Sequence, residues 1–398
     1  MQRQAAGSLR LTLAFLVAAA GTAVLGVGAT TWLPLHLLLV GGVLTAIGAA
    51  TQLLAVTWSA SPAPSDRLAA AQRWSVAVGA VAVAAGRELD VAPVVAGGAT
   101  TVAVGLALLA ASLVRIRAQR GNDRFLPAID GYLLALGFGA AGVAIGAWMA
   151  TTGASDSWPR WRAAHITLNV FGLVGLVIAA TLPTFVATQA RTRTSRRATA
   201  RAQRLALGAL GGAVVVTAAG QVVASPSLTA AGRVGYVAGF AVLLTVLPRI
   251  RQRHLRWAGP RLVQLAAGIT WWIAATAAMV TSDLDGRTPP GDLVAALAVG
   301  GVAQVVVASL AYLAPVLRAG GHERLTAGFA TTRSWPSLVA ANIAAAGLLM
   351  DADRLVAVAL SLWAVDVVAR AAQFRRRRGA SPPQRCPAPE ATDDDVDR

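Results

Sequence analysis

The chain has no lysine, a single cysteine and few charges of any kind, and each shortage removes a class of protein. The lone Cys386 excludes an intramolecular disulfide and any cluster of thiolates. Charged residues make up 13% of 398 positions and hydrophobic ones 56%, a balance that excludes an ordinary soluble domain. No paired carboxylates, phosphate-binding loop or Ser-His-Asp set can be read from the residues, so nothing in them makes the chain an enzyme by itself.

Long apolar runs are what the chain has instead. Runs able to cross a hydrocarbon core of roughly 30 Å fall at about 9–29, 33–56, 73–88, 91–114, 127–152, 162–188, 204–224, 227–248, 261–282, 291–317, 335–350 and 353–373. The expectation is an all-α polytopic integral membrane protein of about twelve transmembrane helices. The third and eleventh runs are short, which leaves ten or eleven crossings open. The helical domain is expected over 1–378. Residues 379–398, with Pro382, Pro383, Pro387, Pro389 and Asp393 to Asp395, are too polar to fold and are expected to form a disordered cytoplasmic tail. The first run exceeds the apolar length of a signal peptide and is expected to be retained.

With lysine absent, the formal charge of +17 comes from 35 arginines, whose placement carries the topology. Twenty-nine of them fall at the termini and the even-numbered junctions; Arg87, Arg160, Arg162, Arg233, Arg287 and Arg354 fall on the other side, near eight acids including Asp283 and Asp285. The positive-inside rule then predicts a multi-pass plasma-membrane protein with both termini cytoplasmic. The clusters are short loops between spans, so the expected partner is the lipid bilayer, with its anionic inner leaflet, and not nucleic acid.

Glycine and alanine are abundant, as close helix packing in lipid requires. The segment Gly137-Phe138-Gly139-Ala140-Ala141-Gly142 matches a dinucleotide fingerprint in form only, since it lies within an apolar span with no preceding strand. Gly142 and Gly146 read better as a helix-packing ridge.

Polar groups inside the spans are few, and each is costly in hydrocarbon. His36 opens the second span and His165 the sixth, both toward the predicted extracellular side. Asn169 follows His165 by one turn on the same helical face, where an amide supports an imidazole or lines the same cavity. Two neutral imidazoles at one depth can ligate a haem iron or a copper ion; otherwise they are interfacial histidines hydrogen-bonded to their surroundings. His254 and His322, among arginines, are expected to be solvated. Gln52, Gln221, Gln264, Gln304 and Asn342 are expected to form interhelical hydrogen bonds, and Asp366 with Arg370 an ion pair.

A family resemblance rests on four stretches: Trp32 to Gly42 (WLPLHLLLVGG), Ala164 to Gly175 (AHITLNVFGLVG), Leu182-Pro183-Thr184, and Ser309 to Leu317 (SLAYLAPVL). Together these resemble the membrane-spanning region of actinobacterial copper-oxidase and copper nitrite-reductase-like proteins. More remotely, twelve helices with histidines on the second and sixth resemble haem-copper oxidase subunit I and NnrS-like membrane proteins. The resemblance implies a subunit I-like bundle in which His36 would bind a low-spin haem b and His165 a copper. It also implies electron transfer with, or accessory service to, a separate extracellular cupredoxin-type copper protein. The tenth span has no histidine where the oxidases carry theirs, so a complete oxygen-reducing centre is not expected. A metal-free anchor or assembly partner and a small-solute transporter are the alternative readings; the transporter reading predicts a repeat between halves.

Overall fold

The computed structural model describes residues 2–28, 30–152, 155–318 and 321–376; the expected tail, Cys386 and the side chain of His322 lie outside them. Helices follow one another as α1 (Gln2–Val24), α2 (Trp32–Ser59), α3 (Asp66–Glu88), α4 (Ala92–Ala118), α5 (Leu126–Thr152), α6 (Trp158–Gln189) and α7 (Ala200–Val222). They continue as α8 (Pro226–Thr245), α9 (Gln252–Ala258), α10 (Pro260–Leu284), α11 (Gly291–Leu317), α12 (Gly321–Thr332), α13 (Trp335–Leu349) and α14 (Asp353–Arg376). No strand occurs among the described residues.

Each of the twelve apolar runs is a helix, but among the described residues 11 helices, not twelve, are long and apolar enough to cross a membrane. The exception is α13, with 15 residues. At about 1.5 Å per residue it spans only about 22 Å. Its ends are fixed locally: the Ser334 hydroxyl accepts from the Ser337 amide at the start, and Asp351 turns the chain with φ 52° just past the end. The third helix is longer than its apolar run. Ser65 caps it by accepting from the Leu68 amide, so helix begins at Asp66 and extends over 23 residues.

Apart from the short α9 and α12, the helices fall into three sets of four, α1–α4, α5–α8, and α10, α11, α13 and α14. In the second, sixth and tenth runs, α2, α6 and α11, the helix widens to π geometry over Leu37–Val43, Thr167–Val174 and Leu297–Ala303. These three are also the most enclosed of the crossing helices. In each widened segment one glycine meets a ring from the helix that opens its set. A Cβ added at Gly41 would stand 2.2 Å from the Phe15 ring, one at Gly172 2.7 Å from the Phe138 side chain, and one at Gly300 2.7 Å from the Trp271 ring. The last two helices of each set, α3–α4, α7–α8 and α13–α14, form tight hairpins. In the first two hairpins glycine permits backbone contact: a Cβ at Gly79 would lie 2.7 Å from the Gly98 carbonyl oxygen, and one at Gly220 2.5 Å from the Thr229 amide. Small residues thus set which helices touch.

In the π segment of α6, Phe171 packs edge-on against Tyr236 of α8 at 5.4 Å and Trp272 of α10 at 5.7 Å. The Tyr236 hydroxyl donates to the Phe171 carbonyl within that segment.

Candidate functional site

His36 and His165 stand within the first turns of α2 and α6, at the arginine-poor end of both helices. His36 immediately precedes the π segment of α2. Its Nδ1 lies 2.8 Å from the Trp32 carbonyl oxygen one turn back, and its ring stacks on the Trp32 indole at 3.8 Å and 22°. The carbonyl can only accept, so Nδ1 carries the proton and the Nε2 lone pair remains. His165 repeats the arrangement with a different partner: its Nδ1 is 2.7 Å from the Gly142 carbonyl oxygen of α5. Among the described residues neither Nε2 has a hydrogen-bond partner. His165 and the Arg162 guanidinium lie within electrostatic range of His36.

The glycine ridge on α5 explains why His165 is held. A Cβ at Gly142 would stand 2.2 Å from Asn169 Nδ2, and one at Gly146 2.7 Å from His165 Cε1, so both side chains occupy space that glycine alone provides. Asn169 donates to the His165 carbonyl at 2.9 Å. Its 3.4 Å approach to His165 Nδ1 is no hydrogen bond, because that nitrogen already donates to Gly142. Asn169 therefore steadies the helix turn and the imidazole's surroundings, and does not bond the ring itself.

Two imidazoles with pinned Nδ1 and open Nε2 have the outer-shell pattern of metal-binding histidines. As donors, two neutral imidazoles are of the type that would hold a haem iron or a copper ion. A third ligand does not join them: no group of three or more His, Cys, Asp or Glu able to hold a metal occurs among the described residues. At the head of the third π segment, where α2 has His36, α11 has Ala296.

The interhelical amides behave as their types predict. Gln52 donates to Gln72 at 3.4 Å, Thr167 to Gln221 at 2.9 Å, and Gln264 to Ser337 at 3.4 Å. Asn342 joins Gln304 at 3.3 Å and accepts from Trp271 Nε1 at 2.8 Å. Asp366 pairs with Arg370 at 2.9 Å. Asp130, at the arginine-rich end of α5, bridges Arg117 at 2.9 Å and Arg204 at 3.0 Å.

Three residues depart from the sequence expectation. His254 is buried, not solvated: its Nδ1 accepts from the Arg251 amide at 3.1 Å and so closes the first turn of α9, which leaves the ring proton on Nε2, 3.2 Å from Arg253 Nε. Arg233 and Asp283, counted among the flanking charges of the arginine-poor side, form a buried ion pair between α8 and α10. Arg233 Nη1 also reaches Met279 Sδ at 3.5 Å, and its guanidinium lies 5.2 Å from the Phe171 ring centre. Its position seven residues into an apolar run was the available signal, since a charge there must be paired or flanked by water.

Eleven crossing-length helices on a shared core define a polytopic helical membrane protein, in contact with lipid along its outer helices. The chain matches no known family model and no curated protein.

Proposed function

We propose that the protein is a membrane-embedded redox subunit that carries haem b, or copper at the same nitrogens, between His36 and His165. The observation that supports this reading is the paired geometry: both Nδ1 atoms tied to backbone carbonyls, both Nε2 atoms open, on two of the three π-containing inner helices. π segments recur at functional sites, and pinned imidazoles are the usual form of metal ligand. With arginine-rich loops inside, both termini are cytoplasmic in the plasma membrane and the histidine pair opens toward the extracellular side. An extracellular cupredoxin-type copper protein is the electron partner suited to that position. A bound haem b would supply one-electron cycling; the chain's own residues hold the ring nitrogens in place and keep the site beside Trp32 and Asn169. The internal repeat counts three sets and not two halves, which favours this reading over a transporter built from paired repeats.

His36→Ala and His165→Ala, each produced in a host supplied with haem and copper, test it. Each variant is expected to lose the stoichiometric haem or copper of the parent while keeping its helical content and its elution volume. Retention of the cofactor by both variants overturns the assignment.

A further inference from the structure

At the opposite, arginine-rich end, the structure holds a buried cation with no acceptor. Arg261, the second residue of α10, is 1% exposed, and its Nε, Nη1 and Nη2 all lack a hydrogen-bond partner among the described residues. Rings enclose it: the Phe329 centroid is 4.3 Å from its guanidinium carbon, Tyr312 5.6 Å and Trp257 5.9 Å. Aromatic faces stabilise the positive charge but offer nothing to the in-plane N–H groups, which stay buried and unsatisfied.

The neighbours add cations instead of carboxylates. Arg333 and Arg191 are close enough for their charges to act on Arg261. Arg333 donates through Nη2 to the Trp257 carbonyl, but its Nε is buried without a partner. Arg191 lies 3.5 Å over the outer face of Trp257 and is exposed. Asp366 is engaged by Arg370 and by the Ser334 hydroxyl, which donates to it at 2.5 Å. Gln189, also fully buried with both side-chain polar atoms unpartnered, follows Phe185 by one turn, and Phe185 packs on Tyr312 at 5.6 Å. Orphaned donors of α10 and the α12–α13 junction thus meet at Trp257, and Gln189 of α6 adjoins the same ring cluster through Phe185.

We propose that this corner binds an oxyanion of the phosphate type, with Arg261, Arg333 and Arg191 as its donors and Gln189 beside them. The chemistry is that of a phosphate group, carried either by an anionic lipid of the adjacent leaflet or by a small soluble phosphate. Planar, weakly hydrated guanidinium groups suit such a buried site better than ammonium groups do, and a bound dianion or diester offsets their mutual repulsion.

The test uses the full chain in a neutral detergent, titrated in separate arms with phosphatidylglycerol, with phosphatidylcholine and with inorganic phosphate. Thermal stability and bound mass by native mass spectrometry are read in each arm. Phosphatidylglycerol alone raising the melting point and remaining bound at one per chain identifies a lipid site; inorganic phosphate alone doing so identifies a soluble one. In either case Arg261→Gln is expected to weaken binding at least tenfold, and Arg333→Gln, whose side chain is less enclosed, serves if the first variant does not fold. Arg249→Gln, exposed on the same face, is expected to bind as the parent does. No stabilisation by either anion, or parental affinity in Arg261→Gln and Arg333→Gln, overturns the proposal and leaves rings and water as the cation's only company.

Discussion

Asp283→Ala is expected to destabilise the folded protein by about 3–5 kcal/mol, the usual cost of leaving one member of a buried ion pair alone. Arg233 and Asp283 side chains are each 2% exposed, and the guanidinium meets the carboxylate through two nitrogens, the second at 3.4 Å. Removal of the acid strands a cation between Phe171 and Met279, where no other carboxylate is paired with it. Arg233→Met is expected to cost a similar amount, because Asp283 then loses its donor. The double variant Arg233→Met, Asp283→Leu is expected to recover most of the loss, since an apolar pair needs no compensation for desolvation. Thermal melting of the four proteins in detergent decides the matter. Single variants that melt with the parent would mean that water reaches the pair.

The second large effect is expected at the ridge that seats His165. Gly142→Val places a side chain where Asn169 Nδ2 already lies 2.2 Å from the nearest possible Cβ, so the Asn169 amide must leave its place or α5 and α6 move apart. Either shift disturbs the setting of the 2.7 Å bond from His165 Nδ1 to the Gly142 carbonyl. Overpacking of this kind costs about 1–3 kcal/mol. Loss of an outer-shell partner weakens metal binding about 10- to 100-fold. Gly137→Val is the matched control on the same helix, because a Cβ there meets nothing within 4 Å. It is expected to change stability by no more than about 0.5 kcal/mol and to leave cofactor content unchanged. Equal behaviour of the two variants would contradict the role given to the ridge.

Much of the fold was legible because hydropathy reports length and enclosure directly: each apolar run is a helix, and the boundaries moved mainly where a cap intervened. Ser65 lengthened the third helix, and Ser334 with the Asp351 turn kept α13 short of a crossing. The π segments were not legible, since one extra residue in a turn leaves composition and hydropathy unchanged. A trace of the threefold plan was nevertheless present. Val40-Gly41-Gly42-Val43 and Val299-Gly300-Gly301-Val302 are the same tetrapeptide at the same place in the second and tenth runs.

At the candidate site, the two histidines and the glycine ridge could be named in advance, whereas the direction of each ring nitrogen could not. That direction depends on Trp32 and Gly142, the second of which lies 23 residues from the ring it holds. Topology counting also treats every arginine as equal. A count by sides enters Arg233 and Arg261 like any other arginine, although a helical position next to apolar neighbours buries the one in an ion pair and the other among rings. The solvation expected for His254 fails for a related reason: the backbone N–H of neighbouring Arg251 caps its Nδ1 and ties the ring to the helix start.

The most direct measurement of the central reading is an absorption spectrum, oxidised and dithionite-reduced, with iron and copper analysis on the same detergent-purified protein from a haem- and copper-replete host. The reading predicts a Soret band with sharp reduced bands, or one copper per chain, lost together with His36 or His165. A folded protein with no visible absorbance and no bound metal would contradict it and leave a metal-free membrane anchor as the better description.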